Sequence, residues 1–347
     1  MKTEYLIISN EFETERIQKA AAVLREGGLV ALPTETVYGL GANALDPAAA
    51  RKIFAAKGRP ADNPLIIHIA EFDDIFSYVE EVPPRAEAAM RALCPAPLTG
   101  IFKKKACIPD VVSAGLDTVA VRIPDQAVTR AIIRAAGVPI AAPSANLSGK
   151  PSPTTAEHVR ADMDGKIEMI VDCGACAVGI ESTVVDFTGS VPMILRPGRI
   201  GPTELKPFFS DVAVDRRTTD LTPSQEPVRS PGMKYKHYAP DAEVYVVEGS
   251  QAATCAKIKE LVQKWQGKRV GVLAQQGSME EFQECADIVL SGGSTPEEYA
   301  AHLFYSLRKF DEEKADVVFA QYIPEGEMAL AIRNRLYRSA ANRIIRV

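Results

Sequence analysis

Short aliphatic runs alternate with helix-length amphipathic segments along most of the chain, and they do so in two separate series. In the first, residues 14–26 (TERIQKAAAVLRE) carry apolar residues at helical spacing and stop at Gly27-Gly28. LVALP (29–33) then reads as a buried strand. Asp46-Pro47 marks a helix start, with Asp as N-cap and Pro in the first turn; that helix runs through ARKIFAAK to Gly58. PLIIHIA (64–70) is again a strand. Further strands are predicted at 98–103, 118–123, 139–142, 168–172, 182–187 and 193–196, with helices near 84–93, 125–136 and 154–161. Such alternation predicts a twisted open α/β sheet with helices packed on it, in which not every crossover is parallel.

From residue 206 the texture changes. Residues 211–241 are rich in Pro, Ser, Thr and charge and keep no periodicity, as in a linker or a long functional loop. The second series follows: EVYVVE, RVGVLAQ, ADIVLS and DVVFAQY as strands, with helices near 251–266, 295–310 and 327–341. This predicts a smaller open sheet of Rossmann-like α/β type, without GxGxxG after its first strand and so without the dinucleotide fingerprint. The expected organisation is a first domain over 1–207, a linker or lid over 208–241 and a second domain over 242–347. A chain of 347 residues exceeds what one hydrophobic core usually supports.

Charge and cysteine usage exclude several function classes. The net charge of −5 divides into −4 over residues 1–205 and −1 over 206–347, so neither part has the basic balance of a protein that holds nucleic acid by neutralising phosphates. Any basic patch is local, which points to a pocket. Cys173 and Cys176 form a lone CxxC without a second pair at zinc spacing, and the four histidines make no HxxxH or HExxH pattern. A metal held by protein side chains is not expected. The N-terminus lacks a long apolar run, no stretch reaches bilayer-spanning length, and a cytoplasmic protein is expected.

Polar groups gather just beyond the predicted strands. In PTETVYGLGANAL (33–45), hydroxyls and glycines (Thr34, Thr36, Tyr38, Gly39, Gly41) follow LVALP, as in a ligand-contacting loop or a Gly-rich turn. In KGRPADNPL (57–65), Lys57 and Arg59 close a helix, and Pro60 and Pro64 fix the loop leading to His68. Two cations suit a helix C-terminus, but a fixed pair also suits a polyphosphate, with Arg as a planar fork and Lys as a point charge. APSANLSGKPSPTT (142–155) empties a strand into Ser144, Asn146 and Ser148 without Walker A spacing. AVRIP (120–124) places Arg122 among apolar neighbours, where it needs an anionic partner. GIESTVVDF (179–187) offers Glu181, Ser182 and Thr183, and ILRPGRI (194–200) puts Arg196 at a strand end. No Cys-His or Ser-His-Asp set stands out for covalent catalysis, so chemistry here would rest on positioning and charge stabilisation.

These motifs, in this order, resemble the threonylcarbamoyl-adenylate synthases, whose catalytic part is the YrdC-like domain. SPGMKYKHYAP (230–240) and the α/β tail resemble the long two-domain form of that family. The resemblance implies a nucleotidyltransferase that condenses L-threonine, bicarbonate (or CO2) and ATP, with Mg²⁺, into threonylcarbamoyl-adenylate and pyrophosphate. A downstream transferase complex then modifies an adenosine beside the anticodon of tRNA; a weak tRNA contact and no membrane association are expected. Carried over by residue, it assigns Lys57, Arg59, Asn63, Thr118, Ser144, Asn146, Ser152, Arg196 and Lys234 to ATP or its adenylate. It assigns Thr34, Thr36, Tyr38, His68, Arg122, Ala142 and Ser182 to threonine. Residues 230–240 are expected to close over the pocket, with Lys234, Tyr235 and Tyr238 facing the ligand. One departure is Cys94-Pro95-Ala96-Pro97 where the family shows Pro-Gly-Pro, which requires a negative φ at Ala96. The rival readings are an RNA-binding module without catalysis and a carbamoyl-transferring enzyme. Arg333, Arg335, Arg338 and Arg343 near the C-terminus read as a partner contact or as a solvated amphipathic face.

Overall fold

The computed structural model describes residues 2–218, 238–323, 326 and 328–347. The first series of elements builds an eleven-stranded mixed sheet from β1 (Glu4–Ile7), β2 (Val30–Leu32), β3 (Gly39–Asn43), β4 (Ile66–His68), β5 (Leu98–Lys103), β6 (Thr118–Arg122), β7 (Ile140–Ala141), β8 (Met169–Asp172), β9 (Thr183–Asp186), β10 (Met193–Arg196) and β11 (Ala213–Val214). Their order across the sheet is β1-β8-β2-β3-β7-β4-β6-β5-β9-β10-β11. Parallel pairs such as β4–β6 and β5–β9 alternate with antiparallel ones such as β2–β3, β3–β7 and β5–β6.

Side-chain alternation sends β2 to two cores. Val30 and Leu32 pack with Ile17, Leu24, Val128 and Ile132 from helices Thr14–Arg25 and Ala127–Ala136. Ala31 faces the other side, with Ile53, Met90 and Val159. The sequence gives no strand pattern for Gly39–Asn43, read above as a loop or turn, yet it is a central strand. Close packing explains the glycine there. A Cβ on Gly41 would stand 2.8 Å from Ile140 Cγ2 and 3.1 Å from the Val30 carbonyl. Ala96 is not among the residues with positive φ, and its N–H donates to the Ile123 carbonyl at 3.1 Å, so the departure from Gly is accommodated.

The second series forms an all-parallel sheet of β12 (Glu243–Glu248), β13 (Val270–Ala274), β14 (Ile288–Ser291), β15 (Val317–Tyr322) and β16 (Ile344–Arg346), in the order β14-β13-β15-β12-β16. Helices cover both faces, as an all-parallel sheet requires. Val244 and Val246 pack with Leu303, Phe304 and Leu336, whereas Val247 meets Ile258 and Val262 on the other side. β15 separates β12 from β13, unlike the arrangement of a standard dinucleotide-binding half, in agreement with the missing glycine fingerprint.

The two sheets are joined by helices of the second pressing on loops of the first. Val37 and Ile180 share an apolar cluster with Leu303 and Phe304. Gly179, at φ +75°, approaches helix Pro296–Glu312 so closely that a Cβ would lie 2.4 Å from Ala301 Cα. Arg308 on that helix donates to the Pro151 carbonyl and to Asp162, each at 2.7 Å. Of the four arginines near the C-terminus, Arg343 is exposed and Arg333 and Arg338 are half-buried, but Arg335 departs from both expectations. Helix Ala329–Ser339 faces inward: Arg335 is fully buried against Glu181 and Pro197 of the first unit. An arginine buried this way requires a carboxylate, and Glu181 supplies it. Among the described residues no helix is long and apolar enough to cross a membrane.

Candidate active site

Strand ends converge on one cleft. β4 and β6 run in parallel with His68 opposite Arg122, and β5 brings Thr99 opposite Arg122 from the other side. β7 leads into Pro143 and Ser144, held against β3 by the Leu40 N–H to Pro143 carbonyl bond at 2.7 Å and by a Gly39–Ser144 bridge. The cleft holds about 740 Å³, partly open to solvent, and its wall includes Thr34, Lys57, Arg59, His68, Arg122, Ala142, Ser144, Asn146, Glu181, Arg196 and Tyr238. Pro64, Leu65 and Ile66 add an apolar stretch.

Capping chemistry fixes the cationic end. Asp46 accepts the Ala48 N–H at 2.8 Å and Pro47 starts helix Pro47–Lys57; Gly58, at φ +60°, ends it. The Arg59 N–H reaches back to the Phe54 carbonyl at 3.0 Å, so Lys57 and Arg59 leave the helix in a defined geometry. Lys57 Nζ donates to the carbonyls of Ser144 and of Asn146, the latter at 2.6 Å. Burial, then the neighbouring Arg59, holds Lys57 well below the ordinary lysine pKa, with Asp162 opposing. Arg196 donates through Nε to the Ser182 carbonyl at 3.0 Å and through Nη2 to Ser182 Oγ at 3.1 Å. Burial lowers Arg196 to about 10, opposed by Glu181 and Tyr238.

At the other end Arg122 Nη2 lies 2.7 Å from Glu35 Oε1. Their alignment falls outside that of a hydrogen bond, so Arg122 Nε and Nη2 and both Glu35 oxygens have no hydrogen-bond partner among the described residues. His68 is buried, and its Nδ1 likewise lacks one. Burial first, then the charge of Arg122, pushes the His68 pKa down to about 3, so its imidazole is neutral. Asn146 Oδ1 is also buried without a hydrogen-bond partner among the described residues, while its Nδ2 donates to the Leu147 and Lys150 carbonyls. Unsatisfied buried polar atoms are costly, and several around one cleft are the arrangement a polar ligand would complete.

Not every sequence-assigned residue reaches the wall. Tyr38 is a correction: its ring is buried in the core and its hydroxyl donates to the Gly174 carbonyl at 2.7 Å, away from the cleft. Its backbone does help, accepting the Ala145 N–H at 2.8 Å and so holding the Ser144 loop. Thr36 stands behind Thr34, with 2.8 Å between the hydroxyls. Ser182 Oγ lies 2.8 Å from Thr99 Oγ1 and carries Arg196. Ser152 donates to Glu181 Oε1 at 2.5 Å. Asn63 is fully buried with neither amide atom hydrogen-bonded among the described residues, and Thr118 begins β6 at the end opposite Arg122. Lys234 and Tyr235, with most of 230–240, lie outside the described residues. Tyr238 is described and lines the cleft, its ring 5.0 Å from that of Phe304. Glu35 was missed, although an acid between two hydroxyls just past a buried strand was its signal. Cys173 and Cys176 are not reactive thiolates, since burial pushes both thiols up to about 12.

A mixed α/β domain with cations and hydroxyls converging on one cleft, buttressed by a second α/β unit, is a two-domain protein with a site for a polar, anionic ligand. Residues 22–198 match the family Sua5_yciO_yrdC, described as "Telomere recombination", and residues 200–341 match the "Threonylcarbamoyl-AMP synthase, C-terminal domain". The chain belongs to the threonylcarbamoyl-AMP synthase family. It is 46% identical over 342 residues to the threonylcarbamoyl-AMP synthase of Pyrococcus abyssi, covering 98% of each chain. It is 45% identical over 358 residues to that of Bacillus subtilis, covering 100% of each. Among solved structures, that of P. abyssi Sua5 complexed with L-threonine superposes with a TM-score of 0.93 at 45% identity, covering 100% of each chain.

Proposed function

We propose that this cleft condenses L-threonine, bicarbonate (or CO2) and ATP into threonylcarbamoyl-adenylate, releasing pyrophosphate. The supporting observation is the cleft's two unlike ends, in a chain full-length similar to an enzyme crystallised with L-threonine. Arg122 with neutral His68 and the Ala142 backbone suits an amino acid: the guanidinium pairs the carboxylate, and Glu35 beside it offers an acceptor to the amine. Lys57, Arg59 and Arg196 suit a triphosphate, with Ser144 and Asn146 as polar contacts. Asn63, Ser152 and Thr118 complete the nucleotide assignment, and Thr34, Thr36 and Ser182 that of threonine.

The neutral amine adds to bicarbonate with loss of water, giving a carbamate. A carbamate oxygen then attacks the α-phosphorus of ATP, the bond to the bridging oxygen of the β-phosphate breaks, and pyrophosphate leaves. The protein supplies position and charge: arriving phosphates favour the charged form of Lys57, and Arg59 and Arg196 offset charge on the leaving group. Mg²⁺ enters as the counterion of ATP. Among the described residues no three His, Cys, Asp or Glu side chains cluster to hold a metal, and no step is assigned to one. The product is an activated adenylate, to be consumed by a transferase acting on the tRNA adenosine next to the anticodon. Pyrophosphate release that requires both threonine and bicarbonate is the expected result; equal release without threonine would overturn the reading.

A further inference from the structure

Arg335 is the largest fully buried side chain among the described residues, and it belongs to the second unit. Its guanidinium serves the first. Nε donates to Glu181 Oε2 at 3.1 Å, Nη2 to the Glu181 carbonyl at 3.2 Å and Nη1 to the Pro197 carbonyl at 2.6 Å. Those contacts bracket one part of the cleft. Glu181 precedes Ser182, which accepts both bonds from Arg196, and Pro197 follows Arg196 directly. Glu181 and Arg196 both line the cleft, and the second Glu181 oxygen holds Ser152.

Glu181 is a carboxylate on the wall that carries Lys57, Arg59 and Arg196, placed where its charge would repel a polyphosphate. Burial opposes its ionisation, but Arg335, Arg196 and the Ser152 hydroxyl outweigh that and keep its pKa below the ordinary value. We infer that Arg335 is a positioning residue for nucleotide binding: by neutralising Glu181 it lowers the repulsion that carboxylate would exert on the phosphates, and by bonding the Glu181 and Pro197 carbonyls it fixes the backbone that carries Arg196. The second α/β unit is thereby part of the cleft's charge balance. Lysine cannot replace it, since one ammonium lacks the planar fork that spans Glu181 and Pro197.

This inference rests on ATP occupying the cleft, so titration of the wild-type protein with MgATP comes first and tests that reading alone. Arg335→Met is then expected to raise the Kd and KM for ATP on the order of tenfold, a typical coupling between linked sites, with a smaller change in KM for threonine. Glu181→Gln added to Arg335→Met removes the opposing charge and is expected to recover much of the ATP affinity. A plain interface role predicts a lower Tm and fewer active molecules, with KM for ATP unchanged. That result, or a double variant no better than the single one, overturns the inference. Should Arg335→Met not fold, Arg335→Lys carries the test: weakened ATP binding supports the inference, and wild-type affinity contradicts it.

Discussion

The cleft of the first sheet and the interior of the second both contain deeply buried polar side chains, but with opposite hydrogen-bond accounting. In the second sheet, Gln321 on β15 is fully buried and fully engaged. Its Nε2 donates to Thr254 Oγ1 at 2.9 Å and Ser278 Oγ at 3.2 Å, and its Oε1 accepts the Gln275 N–H at 3.0 Å. In the first, His68, Arg122 and Asn146 on the cleft wall, and Glu35 beside Arg122, keep buried polar atoms without hydrogen-bond partners among the described residues. A closed network specifies a core; an open one holds free energy that a ligand recovers on binding. The contrast separates a structural polar cluster from a binding site in one chain.

Three variants can break this contrast. Arg122→Ala should have the largest effect, lowering kcat/KM for threonine by about a hundredfold or more, since truncating a buried charge partner costs ~2–5 kcal/mol. Steady-state kinetics with threonine varied would show it, and Glu35→Gln added to it should recover Tm but not activity. Gln321→Leu should do the reverse. It removes the acceptor of the Gln275 N–H and a donor to the Ser278 and Thr254 hydroxyls, and denaturant titration should show a loss of ~1–3 kcal/mol with KM values unchanged. At neutral pH His68→Gln should have the smallest effect on stability. The folded-state pKa of His68 is about 3 against an ordinary value of 6.5, so the unfolded chain binds the extra proton between them and stability falls as pH drops through that window. The variant should remove up to ~1.4 kcal/mol per pH unit of that slope, measured by unfolding at several pH values. A slope equal to wild type would show that His68 titrates normally.

Much of both sheets was legible because buried strands must be apolar and helices must be capped; the Asp46–Gly58 helix is the clearest case. Gly39–Asn43 escaped because its strand character comes from neighbours too close for side chains at Gly41, a tertiary constraint without a local pattern. The cations of the cleft were legible from their place at element ends. Tyr38 misled because a hydroxyl in a ligand-like motif says nothing about which way its ring packs. Arg335 escaped for the same kind of reason. Its spacing on the last helix fits a solvated face, and only the partner Glu181, far away in sequence, shows it to be internal.

On the proposed reading, one cleft joins threonine, bicarbonate and the adenylyl group of ATP. Mass spectrometry of a reaction with ¹³C-bicarbonate, threonine and ATP tests it most directly. The expected product is an adenylate carrying both threonine and one ¹³C atom, formed with equimolar pyrophosphate. ADP and phosphate, or an adenylate without the bicarbonate carbon, would contradict it.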